Sequence, residues 1–441
     1  MTADPASQVQ DFYRDRSVFC TGATGMLGLA YIVRLVLETP VGHVYAMARG
    51  GEKRMWQVCN EYLPREQVEA LQKSGRITVF DGDITHTNLG LTDDQIETIR
   101  DKVSVVVHAA STVNLVKPLH EVADVIIYSS LAVADFVLSL RNLERFVYVS
   151  TAYASTFLRR DMEGNVIGSD AVIKEKVHQL RSIVETAEAE LADIRECGTT
   201  PEFNFADYLY PYSYAKNLTE RLLISRFDKH GQSDRLLIFR PSIIGPAEKL
   251  PCPNFEIAGS TPVTTFMAAA IMTPPLRMCF ASPLDDPTTA TIDEVPVDMV
   301  VNRLVVHTAY SSSGPVHAAS GRDARVRSET LWLQAIAMRR WWWWRPTGAW
   351  TSKDWSAAGV CKLSRLFKVC GCDFIFDQAK SEAVWARMSE GEQETWPFWP
   401  TPADEDKNHV LGRERALRLL CDKFASRTCL PAMITRFMYK V

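Results

Sequence analysis

Four tyrosines crowd one stretch of the chain, Tyr208, Tyr210, Tyr212 and Tyr214, and of these only Tyr212 has a lysine four residues on, Lys216. On a helix that spacing stacks the phenol and the ammonium on one face. An ordinary phenol ionises near pH ~10, too high for proton exchange at neutral pH, and a neighbouring cation favours the phenolate and lowers that value. Tyr212 with Lys216 therefore reads as a proton donor beside its activator. A second hydroxyl must hold the substrate oxygen next to the phenol. Thr151, at the end of the apolar run Arg145 to Val149, is placed for that role, and its neighbour Ser150 is the alternative. Taken alone, Tyr-x-x-x-Lys is more often a surface tyrosine beside a lysine, so the surrounding elements must decide.

The first of these elements lies near the N-terminus. Ser17-Val-Phe-Cys-Thr-Gly22-Ala-Thr24-Gly25-Met26-Leu27-Gly28 runs from a short apolar segment through three glycines into an amphipathic one. It reads as strand, phosphate loop and helix: Gly22 for the tight turn, Gly25 for close approach of a pyrophosphate, Gly28 for helix packing, and N–H groups of the first turn facing the anion. Thr24, Met26 and Leu27 belong to the same loop and first turn. A second strand, His43 to Ala48, ends at Arg49, followed by Lys53 and Arg54. In dinucleotide folds an acid at this point binds a ribose hydroxyl and an arginine accommodates a 2′-phosphate, so Arg49 points to NADP over NAD, with a solvated basic loop as the other reading.

A third strand, Arg76 to Phe80, runs into Asp83 and Ile84, where the acid is either a contact to the adenine end or a turn residue. A fourth, Val103 to His108, is a continuous apolar run of the kind buried on both faces of a parallel sheet. Small residues from Ala109 then let a flat cofactor lie against the backbone. A long helix from about Leu119 to Leu140 leads to the fifth strand. Alternating strands and helices imply an α/β fold with a doubly wound parallel sheet, whose ligands bind beyond the carboxyl ends of the strands. Gly22, Arg49, Asp83, Ala109 and Thr151 all fall at those ends.

Composition narrows the classes. The 441 residues carry a net charge of -4, which gives no reason to expect nucleic acid as a partner. The polar, mixed-charge start does not read as a signal peptide, so an intracellular, cytoplasmic protein with reduced cysteines is expected. Cys361, Cys370 and Cys372 have no histidine at ligand spacing and read as free thiols; no metal is expected. No apolar run reaches the ~18 residues of a spanning helix.

These motifs together resemble the extended short-chain dehydrogenases/reductases, with a Rossmann-like sheet. Further segments are similar to the fatty acyl-CoA reductases, also called male-sterility proteins and related to thioester reductase domains. They are Gly82-Asp-Ile84 with Asn88-Leu-Gly-Leu91, Arg240-Pro-Ser-Ile-Ile-Gly-Pro246, Glu294 to Asn302, and the wide, charged separation between Thr151 and Tyr212. The resemblance implies Thr151, Tyr212 and Lys216 as catalytic residues, NADPH as cofactor, with Tyr212 and Lys216 also touching it, and reduction of an acyl thioester to aldehyde and on to primary alcohol. The substrate is acyl-CoA or a carrier-bound acyl thioester, with an extended dehydrogenase acting on an alcohol or ketone as the alternative.

The expected division is residues 14–315 as the NADP-binding reductase domain, with a helical insert at about 156–205, and residues 316–441 as a smaller, mainly helical substrate part. Ser311 to Pro315 reads as the hinge, and Glu390 to Lys407 as a surface loop. Trp341 to Trp344, flanked by arginines, suit a domain seam, the roof of an acyl tunnel, or peripheral contact with a membrane. Nothing in the sequence specifies an oligomeric state.

Overall fold

A computed structural model describes residues 7–159, 172–177, 186–205, 208–341, 345–401 and 408–426 of the chain. Seven strands form the central sheet: β1 Ser17–Thr21, β2 His43–Ala48, β3 Ile77–Asp81, β4 Val103–His108, β5 Arg145–Val149, β6 Leu236–Pro241 and β7 Gly314–Ala318. All neighbours are parallel, in the order β3-β2-β1-β4-β5-β6-β7. The order reverses between β1 and β4, which opens a crevice at their carboxyl ends. Thr21 stands beside His108 in that register, so the glycine loop and the residues after β4 leave the sheet side by side.

Both faces are covered, which is why β4 and β6 are buried along their whole length. On one face α1 (Met26–Glu38) and α4 (Val297–Ala309) share a core with β1, β4 and β6. On the other, α2 (Pro211–Lys229) packs with the helical stretch that starts at Leu119. That stretch runs without a break to Leu138, as the long helix expected, but Leu119–Ala123 passes through a π-helical turn, Asp124–Tyr128, before Ser129–Leu138. The Ser129 hydroxyl bonds the Asp124 carbonyl at 2.7 Å across the widened turn.

A third core gathers α3 (Pro262–Met272), the helices Ser328–Ala337 and Glu414–Ala425, and a parallel pair formed by Arg277–Ala281 and Thr347–Thr351. Two expectations about the C-terminal third change. The boundary at 315/316 runs through β7, because the chain turns at Ser311 and already enters this edge strand of the main sheet at Gly314. The stretch from Glu390 is not a surface loop. It forms a helix, Glu390–Thr395, and then buries Trp396 and Phe398 completely against α1 and α4. Arg34 of α1 stacks on the Trp396 ring at 4.3 Å and donates to the Thr395 carbonyl. Arg303 of α4 donates to the Phe398 carbonyl at 2.6 Å. Residues 402–407 and Trp342 to Trp344 lie outside the described residues, as does much of the insert. Among the described residues no helix is long and apolar enough to cross a membrane.

A core position for Trp396 has a measurable consequence. Trp396→Ala should lower the unfolding free energy by about 3–5 kcal/mol in a urea titration, against less than about 0.5 kcal/mol for a residue on a surface loop.

Candidate active site

The loop after β1 is shaped by what its glycines leave out. Gly22 has φ +77°, and a Cβ there would lie 2.6 Å from the Ala110 amide nitrogen. A Cβ on Gly28 would overlap the Gly22 carbonyl oxygen, so the first turn of α1 lies directly against the loop. Gly25 caps α1 without any side-chain bond and itself lines a groove, so no side chain of the cap takes up the first N–H groups of the helix. Beneath the loop, Thr21 Oγ1 is 2.7 Å from His108 Nδ1 and accepts the Ala110 N–H at 3.3 Å, while His108 Nε2 is 3.1 Å from Ser130 Oγ. Burial and the Lys216 charge push the His108 pKa down to about 3, so the imidazole is a neutral strut.

The groove, about 510 Å³, is walled by Gly22, Thr24, Gly25, Arg49, Asp83, Ile84 and Ala109. Arg49 is largely exposed at the end of β2, with Nη1 4.0 Å from Asp83 Oδ2. Partial burial works to raise the Asp83 pKa, but the Thr85 N–H and hydroxyl, bonded at 2.9 and 2.8 Å, together with Arg49 hold it below the ordinary carboxylate value. Met26 opens α1, and its side chain turns into the core, where its sulfur accepts the Thr261 hydroxyl at 3.7 Å. Leu27 faces the second cavity instead.

That second cavity, about 210 Å³, meets the groove at Ala109 and Ser111 and is walled on its polar side by Thr151, Tyr212 and Lys216. Pro211 starts α2, which fixes Tyr212 in its first turn. The Thr151 hydroxyl stands close enough to the Tyr212 phenol to pull its pKa down. Its Oγ1 also accepts the Tyr153 N–H at 3.2 Å and reaches the Pro241 carbonyl only at 3.5 Å. The neighbouring Ser150 hydroxyl is committed to Glu220, at 2.5 Å. Thr151 is thus the hydroxyl presented to Tyr212. Lys216 donates to the Val149 carbonyl at 2.8 Å and lies over the Tyr148 ring at 4.7 Å. Leu27, Val113, Leu115, Ile243, Pro262 and Val369 make the rest of the wall mostly apolar.

The electrostatics differ from the expectation that Lys216 lowers the phenol pKa. Burial dominates and raises the Tyr212 pKa above the ordinary phenol value, with the Thr151 hydroxyl opposing it. Burial also pushes Lys216 down to about 7, against the pull of Glu220. In a dry wall the cost of charge outweighs the attraction between neighbours.

The comparisons bear on this geometry. A family model described as "Male sterility protein" matches residues 20–304. The chain belongs to the male sterility protein family. Within it, the chain is 29% identical to the CG8306 protein of Drosophila melanogaster over 317 residues, covering 70% of this chain and 57% of that one. It is 28% identical to "Fatty acyl-CoA reductase 1" of Homo sapiens over 311 residues, covering 69% and 56%. The chain therefore spans little more than half the length of these family members. Among solved structures, the terminal R domain from the myxalamid PKS-NRPS pathway superposes with TM-score 0.58 at 16% identity, covering 95% of this chain and 93% of that one. Yeast Gre2, a methylglyoxal/isovaleraldehyde reductase complexed with NADPH, gives 0.54 at 13% identity, with 93% and 99% covered. The fold matches that of these two solved structures, and the family is one that binds a nicotinamide cofactor.

The cradle fits such a group, because Gly22, Gly25 and Gly28 keep clear the space that side chains would take. Sequence reasoning missed the Thr21–His108–Ser130 chain under the loop. Its signal was a polar residue closing each of two apolar strands. Among the described residues no group of three or more His, Cys, Asp or Glu could hold a metal ion. Gly28→Ala should abolish cofactor binding in a fluorescence titration while the chain still folds, since the added methyl displaces the Gly22 carbonyl and with it the loop.

Proposed function

We propose that this protein uses NADPH to reduce a fatty acyl thioester, acyl-CoA, to the aldehyde and on to the primary alcohol. One observation carries the reading: a hydroxyl, a phenol and an amine, Thr151, Tyr212 and Lys216, converge on a mostly apolar cleft that opens into the dinucleotide groove. The nicotinamide, when bound, supplies one hydride per reduction.

The chain's own residues do the rest. The Thr151 hydroxyl donates to the carbonyl oxygen and draws its electrons away from carbon. Tyr212, kept protonated by burial, gives its proton to that oxygen as it becomes an alkoxide, a far stronger base than phenolate. Lys216, held at the Val149 carbonyl, supplies positive charge beneath the phenol and a donor toward the cofactor ribose. In the first reduction the thioester carbon gains hydride and its oxygen the Tyr212 proton; that proton leaves the oxygen as the C=O re-forms and the C–S bond breaks, and passes to the departing sulfur, which is released as a thiol. In the second the aldehyde carbon gains hydride and its oxygen a proton. Apolar walls exclude water and suit an acyl chain better than a sugar nucleotide.

NADPH over NADH rests on Arg49, exposed at the end of β2 with Asp83 4.0 Å away, where a guanidinium can take a 2′-phosphate by paired hydrogen bonds. Arg49→Ala should weaken NADPH roughly ten- to a hundredfold, in line with loss of a charge-assisted contact, and leave NADH nearly unchanged; equal losses in a titration of both would exclude the assignment.

The reaction is tested by following NADPH oxidation across a panel of acyl-CoA chain lengths, with mass spectrometry of the products. Aldehyde or alcohol should appear with the wild type. Tyr212→Phe should bind NADPH normally and lose most turnover, a factor of roughly 10²–10⁴ for a positioned proton donor. Turnover with carrier-loaded but not CoA-linked chains would instead identify a carrier-bound thioester as substrate.

A further inference from the structure

Helix α2 carries one more functional-looking residue on the same face. Tyr212, Lys216 and Glu220 stand at four-residue intervals, and Lys216 and Glu220 are 2% and 0% exposed. The chemistry above makes no use of Glu220. Its carboxylate accepts the Ser150 hydroxyl at 2.5 Å and Arg240 Nε at 2.8 Å, with a second contact from Arg240 Nη2. Arg240, also 0% exposed, extends Nη1 to the Lys176 carbonyl of the insert at 3.1 Å. Three parts of the chain, α2, the end of β5 and β6, meet at one carboxylate, and Arg240 links the insert to them.

Ser150 sits between the two residues on which the site depends. Val149 offers the carbonyl that holds Lys216, and Thr151 the hydroxyl that meets Tyr212. Tying Ser150 to α2 therefore sets both groups at once against the helix that carries their partners.

The charges around Lys216 add a second role. From β5 it faces the Tyr148 ring, and from β4 His108, both kept neutral by burial. Its own helix presents Tyr212, protonated, and Glu220; Arg240 of β6 lies beyond Glu220. Among these described groups Glu220 is the one acid, and it acts on Lys216 in opposition to burial.

We propose that Glu220 is a positioning residue: through Ser150 it aligns Thr151 and Val149 with Tyr212 and Lys216, and its charge keeps Lys216 an ammonium in a dry wall. The consequence for turnover rests on the reductase reading above; the consequence for Lys216 does not.

The two are separable in one set of measurements on the full chain. Lysine-selective ¹³C labelling gives Lys216 a resonance, identified by its loss in Lys216→Met, whose titration midpoint is read by NMR. Glu220→Gln keeps the shape and removes the charge, and should lower that midpoint by about one pH unit or more. Ser150→Ala keeps the charge and removes the tie. It should leave the midpoint in place while kcat falls roughly ten- to a hundredfold from misplacement of the reacting groups. An unmoved midpoint in Glu220→Gln overturns the charge role. Full kcat in Ser150→Ala overturns the positioning role, and that variant decides the matter should Glu220→Gln not fold. A midpoint that shifts as stated in a protein that turns over no acyl thioester supports the Glu220 assignment and refutes the reductase reading.

Discussion

Arg240 and Glu220 form an ion pair with no exposed surface on either side chain. Taking both charges out of water is costly, and a pair of this kind adds little net stability compared with apolar residues of the same shape. Removing one partner is another matter, because it strands a charge in the interior at a cost of about 3–5 kcal/mol. The pair is thus better understood as a constraint than as a source of stability. It forces β6, the end of β5 and α2 into one relative position, and the polar side of the cleft is carried by the last two of these.

The same logic of burial explains why the site behaves differently from its sequence. Spacing shows that Tyr212 and Lys216 share a face, and three glycines before an amphipathic run show the loop; both arrangements are in the fold. What spacing does not carry is depth. Two groups one turn apart on an exposed helix would influence each other mainly through charge. In a wall closed by Leu27, Ile243 and Val369, desolvation outweighs that influence and moves the phenol and the amine in opposite directions, each toward its neutral form.

The other departures have equally local causes. The π-helical turn at Asp124–Tyr128 is a change of hydrogen-bond register inside an apolar helical pattern, and the pattern reads the same either way. Residues 390–401 are rich in acids and proline, which masks two aromatic side chains two residues apart. Those two, Trp396 and Phe398, decide where the segment goes. The supposed hinge before β7 contains turn residues, as expected, but the turn leads back into the sheet because Pro315, Val316 and Ala318 continue its parallel ladder on β6. The order of strands was legible from residue 17 to the end of β5, with the helix that carries Tyr212 after it. The packing partners of the last third were not, because they are set by contacts hundreds of residues away in sequence. Glu392 is one such contact: it accepts the Ser7 hydroxyl and the Val9 N–H near one end of the chain, and the Tyr310 hydroxyl at the end of α4.

One of these long-range contacts bears on the mechanics of the groove. α1 presents its first turn to the dinucleotide site, while Arg34, near its other end, is clamped between the Trp396 ring and the Thr395 carbonyl. The helix is therefore a strut with both ends loaded. Its amide dipoles can be held still under a pyrophosphate only as firmly as its far end is anchored. The stiffness of the nucleotide cradle, encoded around residue 25, is in this way borrowed from a segment that the ribosome adds some 370 residues later.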